Sequence, residues 1–153
     1  MQDNAPAKTA SLPRNPLLDF SAMPRFADIK PEHVEPAIRG LIDENRALIE
    51  RLTADPALPT WDGFVGPMDE AGERLGRAWG VVGHLHSVLD VPEWREAYNA
   101  MLPEISRFYA EVGQNLALFE KYKALHDSPE FATLSAVRQR ILEHALRDFR
   151  LSG

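Results

Sequence analysis

From residue 34 onward the chain alternates apolar and polar positions with the period of an α-helix. Val34, Ile38, Leu41, Ile42, Leu48, Ile49 and Leu52 recur at three- and four-residue spacing, with Asp43, Glu44, Arg46, Glu50 and Arg51 on the opposite side. That pattern predicts an amphipathic helix over 34–54, with Pro36 tolerated in its first turn, where a missing N–H costs nothing. A second helix is predicted from an N-cap at Thr60 to about residue 88, burying Phe64, Met68, Leu75, Trp79, Val82 and Leu89. Pro67 should kink it or cut off a short first helix. A third is predicted over 92–126, with a broad face of Trp94, Tyr98, Met101, Ile105, Phe108, Tyr109, Val112, Leu116, Phe119, Tyr122 and Leu125, bent or divided at Pro103. Ser128, Pro129 and Glu130 read as the start of a fourth, running to about residue 150 with Phe131, Leu134, Val137, Ile141, Leu142, Ala145, Leu146 and Phe149 inward. The fold class expected is all-α, an antiparallel helical bundle of about four long, partly Pro-kinked helices.

Ahead of the bundle the pattern changes. Six of the twelve prolines fall within the first 36 residues, which excludes regular helix and central strand there. Residues 1–14 are expected to form a disordered tail, and 15–153 one helical domain. Leu17, Leu18, Phe20, Met23, Phe26 and Ile29 are too apolar for a free arm, so 15–29 is expected to lie extended across the helices as a strap. Within the second helix, Gly72, Gly76 and Gly80 stack on one face. They predict a close approach by another backbone inside the bundle, since Glu73, Arg74 and Arg77 between them rule out a membrane dimer.

Length and charge narrow the class. A chain of 153 residues can bury a core of its own, and a net charge of −6 argues against a nucleic-acid partner. With no cysteine there is no disulfide, thiolate zinc site or cysteine nucleophile in this chain. No run approaches the roughly 20 apolar residues of a membrane helix, and the first residues lack a secretory signal, so a cytoplasmic protein is expected.

The residue patterns of catalysis are mostly missing. None of His33, His84, His86, His126 and His144 has another histidine three or four positions away, and none has a glutamate three positions before it. Gly-x-Ser-x-Gly and a phosphate-cradling glycine loop are absent too. His84 and His86 are two positions apart, about 200° around a helix, so they cannot share a metal unless the helix unwinds. They stand in the segment 80–107, GVVGHLHSVLDVPEWREAYNAMLPEISR, which reads as a helix end, a tight Pro-marked turn and a helix start, with Asp90 three residues before Glu93 and Pro92 in the first turn.

The wording of that hairpin, His-Leu-x-Ser-Val followed by Pro-Glu-x-Arg-Glu-Ala-Tyr and Leu-Pro, resembles the N-terminal region of oligopeptidase A-like enzymes in the thimet oligopeptidase family of zinc metallopeptidases. Asn-Pro-Leu-Leu at 15–18, KPEHVEPAI at 30–38, Thr60-Trp61 and ALRDFRLSG at 145–153 follow the same family in the same order. The resemblance implies a parent enzyme that hydrolyses short peptides with zinc held by His-Glu-x-x-His, a motif this chain lacks. The segment itself is then expected to bind no zinc and to have no peptidase activity, and to wall a narrow substrate channel against the catalytic domain of the same parent. His84 and His86 are the candidate substrate-channel contacts, although the family more usually carries asparagine where His86 stands. The plainer assignment for either histidine is an imidazole bonded to a backbone carbonyl. A self-standing helical interaction module is the alternative. A segment cut from its parent should expose the apolar face on which the remainder sat, so self-association in isolation is expected.

Overall fold

The computed structural model describes residues 15–152, so the expected tail at 1–14 lies outside the described residues. Five α-helices and no strand occur among them: α1 Val34–Ala54, α2 Gly66–Leu89, α3 Pro92–Gly113, α4 Leu116–His126 and α5 Ala136–Ser152. The all-α class is therefore observed. No described helix is long and apolar enough to cross a membrane. The first three helices pack against one another, α4 sits on α1, and α5 closes over α3 and α4.

Helix α1 has the predicted bounds. Its buried stripe is Val34, Ala37, Ile38, Leu41, Ile42, Ile49 and Leu52, and each larger member contributes about 1.5–3 kcal/mol by leaving water. Asn45 lies in the middle of that stripe, the one buried polar residue among those described. Its Nδ2 donates to the Leu41 carbonyl at 2.8 Å and the Ala71 carbonyl at 3.1 Å, which fixes α1 against α2.

Thr60 caps the next element as expected, its Oγ1 accepting the Gly63 N–H at 2.9 Å. One wide, π-type turn follows at Trp61–Val65, and α2 begins at Gly66 with Pro67 in its first turn. Pro67 thus separates a short first turn from the long helix. A Cβ on Gly63 would lie 2.9 Å from the Thr60 Oγ1, so the capping contact itself requires glycine.

Two expectations about α2 fail. Leu89 is exposed, because the chain leaves the helix there and turns. Gly72, Gly76 and Gly80 face open space, with nothing within 4 Å of a Cβ built on any of them. The helix packs instead through Ala71, Leu75, Ala78, Val82 and Leu85, which form its buried stripe.

The third predicted helix is two. Pro103 does not divide it: Pro103 and Asn99, whose carbonyl loses its i+4 donor, both face solvent, which can supply the missing bond. The division comes at residues 113–115, where the Gln114 N–H closes α3 onto the Ala110 carbonyl at 3.1 Å and Asn115 Oδ1 caps α4 through the Leu118 N–H at 3.0 Å. Leu116 is consequently exposed rather than inward, and Tyr109 is 49% exposed.

The fourth predicted helix starts late. Ser128 donates its hydroxyl to the Leu125 carbonyl at 2.7 Å, closing α4 instead of capping a new helix. Pro129–Thr133 forms a 3-10 turn, Leu134 is extended, and Ser135 Oγ accepts the Arg138 N–H at 3.2 Å as α5 begins. In α5 only Leu142 and Leu146 are fully buried, while Val137 and Ile141, expected inward, are exposed.

The N-terminal strap is a succession of 3-10 turns at Pro16–Leu18, Phe26–Asp28 and Pro31–His33, not an extended run. Leu17 and Ile29 are buried and Phe20 packs on the core, whereas Leu18, Phe26 and Met23 stay exposed. Polar contacts hold the rest: Asn15 Nδ2 donates to the His33 carbonyl at 2.8 Å, and the Arg77 guanidinium donates to the carbonyls of Phe20 and Ala22.

Candidate functional site

The hairpin between α2 and α3 is built by one strained residue. Asp90 adopts φ 30°, ψ 47°, and among the described residues it alone, glycine aside, has a positive φ. Its N–H donates to the His86 carbonyl at 3.2 Å, ending α2 with a left-handed cap. Asp90 therefore closes the incoming helix and does not start the outgoing one. Val91 holds the N-cap position of α3 without a side-chain bond, Pro92 opens the first turn, and Arg95 reaches back to the Asp90 carboxylate at 3.3 Å. The pair is exposed, so it steers the turn more than it stabilises it.

Turning the chain this way brings α3 alongside the last turns of α2 and gives the two candidate histidines different neighbours. His86 is half-buried, and its ring lies 4.3 Å from that of Tyr98 on α3, with 9° between the planes. Trp79 stacks on the same tyrosine at 4.9 Å and 12°. Residues 79 and 86 are two turns apart, about 10 Å along the axis, which is the separation needed to clasp one ring from both sides. The His86 Nδ1 is sealed from solvent and has no hydrogen-bond partner. The expected carbonyl bond is not made there, and an unpaired buried nitrogen of this kind costs about 1–3 kcal/mol. His84 instead faces solvent on the other side of the helix, its ring 5.4 Å from that of Phe26 in the strap. The structure does not bring the two histidines to one site.

The remaining histidines serve locally. His33 Nδ1 accepts the Lys30 N–H at 3.0 Å and closes a 3-10 turn, while His126 Nδ1 lies 3.0 Å from Asp127 Oδ1. His144 contacts the Arg147 guanidinium. Among the described residues no group of three or more His, Asp or Glu side chains is placed to hold a metal ion, so the zinc that the resemblance implies finds no donor set in them.

Perturbed titrations lie away from the hairpin. Burial, and then the charge of Asp69, pushes the Tyr122 hydroxyl up to about 12. Burial, and then Glu73, raises Asp69 itself, and burial raises Tyr109. Asp69 is on α2, Tyr109 on α3 and Tyr122 on α4, and Tyr109 and Tyr122 line one groove. Two features escaped the sequence: the interhelical bonds of Asn45 and the ring stack on Tyr98. Both depend on which helices become neighbours, and a single-helix period carries no such signal.

Comparison with known proteins places this architecture. The family model for the N-terminal domain of neurolysin and thimet oligopeptidase matches residues 32–153. Oligopeptidase A of Haemophilus influenzae is 45% identical over 139 residues, 91% of this chain and 20% of that protein. Oligopeptidase A of Escherichia coli K12 is 41% identical over the same shares. A probable cytosolic oligopeptidase A of Arabidopsis thaliana is 35% identical over 147 residues, 96% of this chain and 21% of the relative. The chain thus spans about a fifth of the length of the curated relatives it matches.

Proposed function

The chain belongs to the neurolysin/thimet oligopeptidase family, as its N-terminal domain, and from that premise we propose that it is the N-terminal helical part of a zinc metallo-oligopeptidase. The observation carrying this reading is the 45% identity that runs through 91% of the chain yet covers 20% of a relative named as a peptidase. In the proposed parent, a cytoplasmic enzyme, the residues beyond this segment perform hydrolysis, with zinc supplying a polarised water when bound. This segment walls the substrate channel against its catalytic domain, and its part is exclusion. A rigid helical wall admits short, unstructured peptides and turns folded proteins away.

The hairpin is the part of that wall proposed to meet substrate. His84 presents an exposed ring backed by Phe26 and offers a peptide both a hydrogen-bonding edge and an apolar flank. His86 works behind it, holding Tyr98 and hence the angle between α2 and α3. Removing the His84 contact loosens ground-state and transition-state binding alike, so His84→Ala in the native-length enzyme is expected to raise KM severalfold for short peptides with kcat little changed. An unchanged KM would remove His84 from the channel.

The reading as a whole is tested by incubating the native-length product and the 153-residue chain with internally quenched short peptides. The longer product should hydrolyse them and lose activity on chelation, and the 153-residue chain should be inactive. Chelator-sensitive hydrolysis by the 153-residue chain alone would overturn the assignment.

A further inference from the structure

Helix α5 is apolar on two opposite sides. Leu142 and Leu146 are buried against its neighbours. At about 100° per residue, Val137, Ile141 and Leu151 fall within an arc of about 80° nearly opposite them. They are 60%, 38% and 79% exposed. A helix on the finished surface of a domain carries a polar face there. Here only His144 and Asp148 interrupt the apolar stripe, and at Asp148 it adjoins a groove of about 240 Å³ that Tyr109 of α3, Ala145 and Phe149 also line.

Among the described residues, the arginines beside the stripe have no carboxylate partner, although Arg138 stacks on Trp61 at 4.9 Å and Arg147 contacts His144. Helix α5 holds Arg138, Arg140, Arg147 and Arg150 against Glu143 and Asp148, a balance of +2 that leaves −8 for the rest of a chain of −6. Most arginines elsewhere are consumed internally, since Arg25, Arg39, Arg46, Arg74, Arg95 and Arg107 each pair with a carboxylate. Among the described residues no such ion pair involves α5. Arg140 and Arg147 lie along one edge of the apolar stripe, so the face pairs exposed apolar residues with a basic edge, a combination found at interfaces.

We propose that the outer face of α5 docks onto an acidic-rimmed apolar surface in the remaining four fifths of the parent polypeptide. The proposal rests on reading the chain as one domain of a longer peptidase, whose relatives supply that extra length in the same molecule. Tethering keeps such a surface at high effective concentration, so a modest apolar patch suffices. A second copy is the poorer occupant. Two copies meeting through this face would bring Arg140 and Arg147 of each against the same basic helix.

The chain has no cysteine, so single substitutions report exposure position by position. Val137→Cys, Ile141→Cys and Leu151→Cys are introduced separately into the native-length product, its other cysteines replaced, and maleimide labelling rates are compared with Leu58→Cys. Leu58 is 61% exposed in the turn after α1 and serves as the open reference. All four sites are on the surface, and peptide hydrolysis by each variant verifies that it is folded. Labelling at least tenfold slower at the three α5 positions, at every protein concentration, is the expected result. Labelling as fast as at position 58 in an active, longer peptidase overturns the docking face and leaves the domain reading intact. Protection that appears only as protein concentration rises makes a second copy the occupant and also overturns it. A native product no longer than this chain would instead end the domain reading before any labelling.

Discussion

Tyr122 sits with its ring 4.8 Å from Phe64, edge to face, and its hydroxyl beside the charge of Asp69. Because the folded value is raised from 10.0 to about 12, the folded chain keeps a proton between those pH values that the unfolded chain gives up. Its contribution is unchanged below pH 10, and stability falls as pH rises through 10 to 12, by roughly 3 kcal/mol across the window. Urea unfolding at stepped alkaline pH should show that slope, and Tyr122→Phe should flatten it. A slope equal in the two proteins would mean that another group titrates. Asn45→Ala, which removes both bonds to the Leu41 and Ala71 carbonyls, is expected to lower stability by about 1–3 kcal/mol in the same assay at neutral pH. At this scale legibility ended where a contact crossed helices. His84 and His86 stood out in the sequence as a pair, but their partners, Phe26 and Tyr98, lie in segments whose placement no local pattern specifies.

Elements were more legible than residues, with failures at their ends. The bounds of α1 follow from its period alone, and Thr60 and Pro67 announced the start of α2 through chemistry that acts within a few residues. Pro103 misled, because a proline whose lost bond faces water can remain inside a helix packed along its other side. The true break at Gly113 and Asn115 carried a signal, a glycine followed by an N-cap residue, but an apolar period running from Trp94 to Leu125 concealed it. Ser128 likewise spent its hydroxyl on the helix before it. The glycines of α2 and its entry turn give the sharpest check at this scale. Gly76→Ala meets open space and should raise stability by about 0.5–1 kcal/mol, as should the same change at Gly72 or Gly80. Gly63→Ala should lower it, since the new Cβ forces the Thr60 hydroxyl away from the N–H it caps. Thermal or urea midpoints of the four variants would separate these outcomes, and a loss at Gly76 would mean that α2 is packed on that face.

For the whole molecule, the class and the order of helices were readable because burial in a bundle repeats with the helix period, and the family wording ran in the same order along the chain. What could not be read is which face stays uncovered. Sequence periodicity assigned Val137 and Ile141 to the interior, and they are apolar; their exposure follows from α5 resting on α3 and α4 through Leu142 and Leu146. An apolar outer face on one helix, together with relatives about five times as long, is what the proposed larger polypeptide accounts for. The intact mass of the gene product in its native extract tests that claim most directly. The account predicts a mass about five times the 17.2 kDa of this chain, with chelator-sensitive peptide hydrolysis in the same fraction. A native product of 17.2 kDa would contradict it and leave the interaction module as the reading.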